Sequence, residues 1–438
     1  FLHMNNFQTI LVSVFLAFFV FAVLIFSGLL KIGDTSKDNS KPIGKVVIWG
    51  TFPNTPEFSK VFEDTNSANL DLNISYVKKP EQSYEQSLIE AFASGNGPDL
   101  FIITPDMVQR FGDFIYKIPY TSYAEKTFRD AFIDGANVYL ANDGVLGFPI
   151  MVDPMMLYYN KDIFSNEGLV STPQYWDQLF GLSSKLTKKK DDGTILQSMI
   201  ALGRYDNISH SKDILATLLL QSGNSIIESR GGEYVAVLNE NPSSLPVSPV
   251  EQILNFFIEF SNPSNTAYSW NRSLPKSIDM FTGGKLAMYV GRASELFTIE
   301  STNPNLSFDV ADIMQTRGAN NKRTYGEIYA VAVNKKSTNL TAAFGVAGII
   351  STGDTAKNLA VAVSLPPASR SLLATKPTDP YLFSFFNSAI VSRSWLDPNK
   401  TSSDAIFNEL IQNILSNKLS ISDSINKAQG QLDSINKN

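Results

Sequence analysis

The feature that most constrains the fold is an alternation of short β-rich apolar runs with amphipathic helical stretches between residues 45 and 103. Lys45–Trp49 (KVVIW) reads as a strand, and Thr55–Thr65 sets Phe58, Val61 and Phe62 on one helical face. Leu70–Val77 alternates apolar and polar residues at period two, and Glu81–Ser94 returns to helical spacing through Tyr84, Leu88, Ile89 and Phe92. Gly95-Asn96-Gly97-Pro98 breaks the chain before the apolar strand Asp99–Ile103. Strand–helix–strand–helix–strand at this spacing predicts a doubly wound α/β layer with a mostly parallel sheet. Ligands of such sheets bind beyond the carboxyl ends of the strands. That rule singles out Gly50-Thr51-Phe52 and Thr104-Pro105-Asp106.

The remaining chain continues in kind. A second αβ region from Tyr158 to Asp312 carries helical periodicity at Gln174–Leu186, Asp213–Leu220 and Val250–Phe260. Ile328–Asn334 reads as a buried strand, followed by helices at Thr341–Ile350 and Ala356–Val363 and a break at Pro366-Pro367. Ser403–Asn438 predicts two amphipathic helices. The 438 residues allow two or three compact units.

Ile10–Leu30 is an uncharged apolar run of about 21 residues, long enough to cross ~30 Å of hydrocarbon. It exceeds the apolar core of a cleaved signal peptide, so the expectation is an uncleaved single-span anchor over 10–30. A Lys-, Asp-, Ser- and Pro-containing linker follows over 31–44. Lys31, Lys37, Lys41 and Lys45 follow the run; taken alone, the positive-inside rule puts the large domain in the cytoplasm.

Composition removes whole classes of chemistry. The absence of cysteine excludes disulfides, thiolate metal sites and thiol nucleophiles in this chain. Only His3 and His210 are available, so no multi-histidine centre can form, and a Ser-His-Asp triad would have to use His210. A net charge of −6 lacks the basic footprint of a nucleic-acid binder. Neither a dinucleotide fingerprint nor a phosphate loop is present, so no cofactor is predicted.

Four stretches, in order, carry a likeness to a known family. They are Gly95–Phe111 (GNGPDLFIITPDMVQRF); Gly144–Phe164 (GVLGFPIMVDPMMLYYNKDIF) with Thr172–Leu179 after it; Phe281–Gly291 (FTGGKLAMYVG); and Gly326–Asn334 leading to Leu365-Pro366-Pro367. Over residues 45–436 the chain resembles the bacterial extracellular solute-binding proteins of carbohydrate-type ABC importers, the group that includes maltose-binding protein. The resemblance implies a two-lobe clamp, with one lobe about 45–152 and 327–365 and the other 153–326 and 366–438. It further implies a monomer that captures a sugar or oligosaccharide between the lobes and passes it to an ABC permease. The large domain would then be extracytoplasmic, and the membrane helix would replace the lipid-modified cysteine that many relatives use.

Sugar recognition needs planar side chains for ring faces and carboxylates or amides for hydroxyls. Matched to the family's motifs, Asp106 and Asp153 are the first polar candidates, and Thr104, at the end of the third strand, is another. Each aspartate also has an ordinary reading, Asp106 as a helix N-cap and Asp153 as a turn residue before Pro154. The aromatic candidates are Phe52, Trp270, Tyr325, Tyr329 and Tyr381, with Trp270 expected to be exposed in the loop-like Ala267–Asn271. Tyr205 and Asn207 are further candidates, and His210 reads as a solvent-facing loop residue. Where maltose-type proteins carry a stacking tryptophan two residues after a glycine, this chain has Ala293. Arg292 and Glu295 beside it leave open a charged or peptide ligand. A membrane-tethered sensor or adhesion domain on the same fold is the other open reading; catalysis is not expected.

Overall fold

The computed structural model describes residues 44–231, 233–241, 246–319 and 321–436. The apolar run 10–30 and residues 31–43 of the linker lie outside the described residues; Gly44, the linker's last residue, already opens the first strand. Among the described residues no helix is long and apolar enough to cross a membrane.

The opening alternation folds as read. Strands Gly44–Gly50, Leu72–Lys78 and Leu100–Ile103 lie side by side and parallel. Between the first two runs the helix Pro56–Ala68. Its start is set locally: the Thr55 hydroxyl accepts from the Phe58 N–H, and Pro56 supplies a first-turn residue that needs no hydrogen bond. Phe58, Val61, Phe62 and Thr65 are its buried face. The second helix, Tyr84–Ser94, ends on Gly95 in the left-handed conformation.

Two long strands connect this layer to the rest. Phe148–Asn160 pairs antiparallel with Thr324–Val333 through its first half. Its second half pairs antiparallel with Leu286–Arg292 and Phe308–Asp312. Thr324–Val333 in turn lies against Leu100–Ile103. One ten-stranded sheet thus runs through the molecule, and Phe148–Asn160 belongs to both lobes. All but one of its 13 residues are buried, so it reads as continuous apolar sequence with no alternation.

The expectation of a mostly parallel sheet is corrected here. Parallel pairs persist within the lobes, as between Leu286–Arg292 and Ile195–Ile200. The two through-going strands run antiparallel to each other and to their longer neighbours, with only the short Ser392–Arg393 parallel to Thr324–Val333, and the sheet is mixed. The predicted helices are present with shifted ends. Gln174–Leu186 resolves into a 3₁₀ turn at Trp176–Gln178 and a helix Leu179–Leu186, because a proline and a Gln178 side chain bonded back to Gln174 and Tyr175 hold the start open.

One turn after the Ile195–Ile200 strand depends on a missing side chain. Gly203 has φ +88°, and a Cβ there would stand 2.7 Å from the Ser261 backbone nitrogen. Gly193 has a similar φ of +84° but open space around it. Gly203→Ala is expected to destabilise the fold by about 2–4 kcal/mol, and Gly193→Ala by about 1 kcal/mol. Paired denaturant melts check this; equal costs would contradict the close approach.

Candidate functional site

A cavity of about 1140 Å³ opens where the strands of the first layer end. One wall comes from Thr51, Phe52 and Pro53 after the first strand and from Thr104 and Asp106 after the third. The opposing wall comes from His210, Arg292, Ser294 and Phe297, with Asn399–Ser402 at the start of the helix Lys400–Leu415. Asp153, Glu327 and Tyr329, from the two through-going strands, lie between.

The sheet register explains this floor. Glu327 stands directly opposite Asp153, and Arg292 opposite Met155. Directly opposed residues share a face, as do residues two apart on one strand. Asp153, Arg292, Glu327 and Tyr329 are therefore placed on one face by the backbone alone.

Arg292 is the centre of the resulting charge network. Its side chain is 11% exposed; its Nε and Nη2 donate to Asp213 Oδ2 at 3.0 and 2.8 Å, and its Nη1 donates to Glu327. Burial works against its charge, but Asp213 and the neighbouring acidic and phenolic groups hold its pKa well above the ordinary value. Glu327 is also approached by Lys400 at 3.4 Å. Asp213 is buried, which opposes ionisation, yet Arg292 and His210 hold its carboxyl far below the usual range.

His210 is corrected from a solvent-facing residue to a member of this network. It caps the helix Ser211–Ser222 at φ 58°, with its side chain 24% exposed. Nδ1 lies 3.4 Å from Asp213, and Nε2 lies 3.1 Å from Glu295. Burial opposes protonation, but hydrogen bonds to the two carboxylates outweigh it and lift the pKa to about 9. Glu295 also accepts from the Arg292 N–H and the Tyr289 hydroxyl, so neither Arg292 nor Glu295 stands free beside the cavity.

The two candidate aspartates sit differently. Asp106 accepts from the Thr104 hydroxyl at 2.6 Å and from Arg110 at 3.3 Å, and Arg110 is held in turn by Glu85. It lies inside the 3₁₀ turn Pro105–Met107 and does not cap it. Asp153 lies mid-strand, so it is not a turn residue. Its two oxygens accept from the Ser294 N–H at 2.9 Å and the Ser294 hydroxyl at 2.6 Å. Burial pushes its pKa up against the pull of Arg292 and Ser294.

Phe52 and Tyr329 line the cavity and pack on each other, with ring centroids 4.9 Å apart. The other aromatic and amide candidates lie elsewhere. Trp270 is fully buried and donates to Asn207 Oδ1 at 3.0 Å; Asn207 spends its amide on the Asn271 and Leu274 carbonyls. The loop is irregular in backbone yet folded into the core. The Tyr205 hydroxyl donates to Asp404 at 2.6 Å. Tyr325 lies behind Arg292, whose guanidinium carbon sits 6.0 Å from its ring centroid. Tyr381 stacks on Phe308 at 5.9 Å, away from the cavity.

Sequence reasoning missed Arg110, Ser294, Phe297 and the Asn399–Ser402 turn. Arg110 follows Asp106 by one helical turn, a spacing that could have drawn notice. Asn399 caps the next helix by accepting from the Ser402 N–H, a start signal legible in NKTSS. Ser294 and Phe297 carry no such signal. Among the described residues no cluster of three or more acidic or histidine side chains is arranged to hold a metal ion.

The model of the bacterial extracellular solute-binding proteins matches residues 50–347. The chain belongs to that family. A binding protein of Brucella abortus (strain 2308) is 30% identical over 137 residues, which is 31% of this chain and 33% of that protein. The chain thus spans about a third of the length of the curated relatives it matches. The fold is similar to that of the cyclic α-maltosyl-1,6-maltose binding protein from Arthrobacter globiformis. That likeness has a TM-score of 0.74 at 16% identity and covers 90% of this chain and 99% of the other. A cyclo/maltodextrin-binding protein complexed with maltotetraose has a TM-score of 0.71 at 15% identity, covering 91% and 98%.

A histidine charged by its folded surroundings ties stability to pH. Its contribution is complete below pH 6.5, the ordinary His value, and is lost as pH rises through about 9. Denaturant melts are expected to show about 1–3 kcal/mol of stability lost between those values. His210→Asn, which tolerates the left-handed backbone, should flatten that slope; an unchanged slope would contradict the network.

Proposed function

We propose that the protein is a non-catalytic, extracytoplasmic capture protein that binds an uncharged sugar or oligosaccharide in this cleft and delivers it to an ABC importer permease. The lobes of the clamp would be 45–152 with 327–365 and 153–326 with 366–438, closing as a monomer around ligand. The apolar run 10–30 would tether it to the membrane with the large domain outside.

The observation that carries this reading is the pairing of the cleft's central cation. A ligand carboxylate would have to compete with Asp213 and Glu327 for Arg292, and displacing either breaks a buried ion pair and leaves Asp213 with His210 alone or Glu327 with Lys400 alone, a loss of up to about 3–5 kcal/mol. A hydroxyl-bearing ligand meets no such barrier. It can use the lone pairs left on Asp106, the Thr104 and Ser294 hydroxyls, and the apolar edges of Phe52 and Tyr329. Asp153 contributes indirectly by fixing Ser294 at the cavity wall. The family and the sugars bound in structurally similar proteins support the same class of ligand.

A thermal-shift screen of the full chain against glucose, maltodextrins, mannooligosaccharides, amino acids and short peptides tests the reading. A sugar at a hundredfold excess over its Kd is expected to add about 2.7 kcal/mol to stability. Asp106→Asn should lower that affinity about tenfold or more while leaving the unliganded melt nearly unchanged. A shift with amino acids or peptides and none with any sugar would overturn it.

A further inference from the structure

The proposal concerns Phe297, and it rests on the sugar-capture reading above. Four aromatic rings line the main cavity: Phe52, Tyr84, Tyr329 and Phe297. Three are engaged. Phe52 and Tyr329 pack on each other, and the Tyr84 hydroxyl donates to the Trp49 and Ile102 carbonyls. Phe297 is different. It is 58% exposed, the most exposed aromatic ring among the described residues, and no ring contact involves it there.

Its exposure is not demanded by the helix that carries it. The helix Leu296–Thr302 anchors itself through Leu296 and Ile299, both buried, and Phe297 lies outside that face. Single exposed apolar residues are common and need no explanation when they stand on open surface. Phe297 instead stands at the junction of two cavities. It lines the main one, and it also lines an adjoining cavity of about 470 Å³. Pro53 and Val363, from the other wall, are common to both as well. Val361, 62% exposed, and Ala362 extend this apolar side of the smaller cavity.

The combined space suits a long ligand. The main cavity alone exceeds the ~300–1,000 Å³ that holds a drug-sized ligand, and the second adjoins it through three shared residues. The polar groups suited to hydroxyls, Thr104, Asp106 and Ser294, line only the main cavity, while the shared junction is apolar. A sugar chain with one unit on the polar groups would carry its next unit past Phe297.

We infer that Phe297 is the stacking platform of an outer subsite that makes the cleft select an oligosaccharide over a single sugar. Its ring covers the apolar face of a unit that a monosaccharide does not have, and Pro53 and Val363 bound the same space from the other wall. Because the ring packs on no other aromatic ring and is more than half exposed, the subsite requires no rearrangement of the helix that bears it.

Calorimetric titration of the full chain with a monosaccharide and with the tri- and tetrasaccharides of the same series tests this. Phe297→Ala is expected to weaken the oligosaccharides about tenfold and leave the monosaccharide within twofold. Phe297→Trp should restore oligosaccharide binding. An unchanged unfolding midpoint in both variants confirms that the core is intact. Equal losses for short and long sugars would overturn the subsite, since they would mark a contact between closing lobes. Unchanged affinities in Phe297→Ala would overturn it too, while leaving sugar capture standing. Absence of sugar binding by the unsubstituted chain would remove both.

Discussion

The buried guanidinium of Arg292 is the interaction on which the site depends. The sheet register brings Asp153 and Glu327 opposite each other, and Asp213 approaches from the neighbouring helix. Without a cation among them, adjacent carboxylates would share a poorly solvated space and repel. Arg292 answers two of them directly, and His210 bridges Asp213 to Glu295. Ion pairs of this kind add little net stability over an apolar core, because desolvation offsets the attraction. Their effect here is on geometry and charge: the cleft floor is fixed in shape and its cation is already paired.

That network exists because two long sheet strands, Phe148–Asn160 and Thr324–Val333, run through the molecule past the cavity. Phe148–Asn160 pairs with one set of strands at its start and another at its end. Residues near its middle, Asp153 above all, therefore lie at the boundary by construction. A shift of one residue in the register of Phe148–Asn160 would turn Asp153 to the face opposite Glu327 and dismantle the floor. The same arrangement brings the first-layer strand ends, with Phe52 and Asp106, to the edge of the cavity.

How much of this was legible follows the range of the forces involved. Local signals served well: the helix opened by Thr55 and Pro56 and the break at Gly95–Pro98 can be read from neighbouring residues. The strand-end rule singles out two short stretches, and Phe52, Thr104 and Asp106 from them line the cavity. Trp270, expected to be exposed, is buried, because a loop-like sequence reveals backbone irregularity but not depth. Its buried indole N–H is satisfied by Asn207, 63 residues away in the sequence. His210 was misplaced for the same reason, since Glu295 is far along the chain. Phe297 was invisible because its significance lies in what it does not touch.

The central claim is that the cleft, with its central cation already paired internally, takes an uncharged ligand. The most direct test is the salt dependence of binding. Calorimetry with a maltodextrin or mannooligosaccharide would be run at about 0.1 M and about 1 M salt, between which the Debye length falls from ~10 to ~3 Å. The account predicts the same Kd within a factor of two at both. Binding only to charged ligands, with affinity collapsing at high salt, would contradict it.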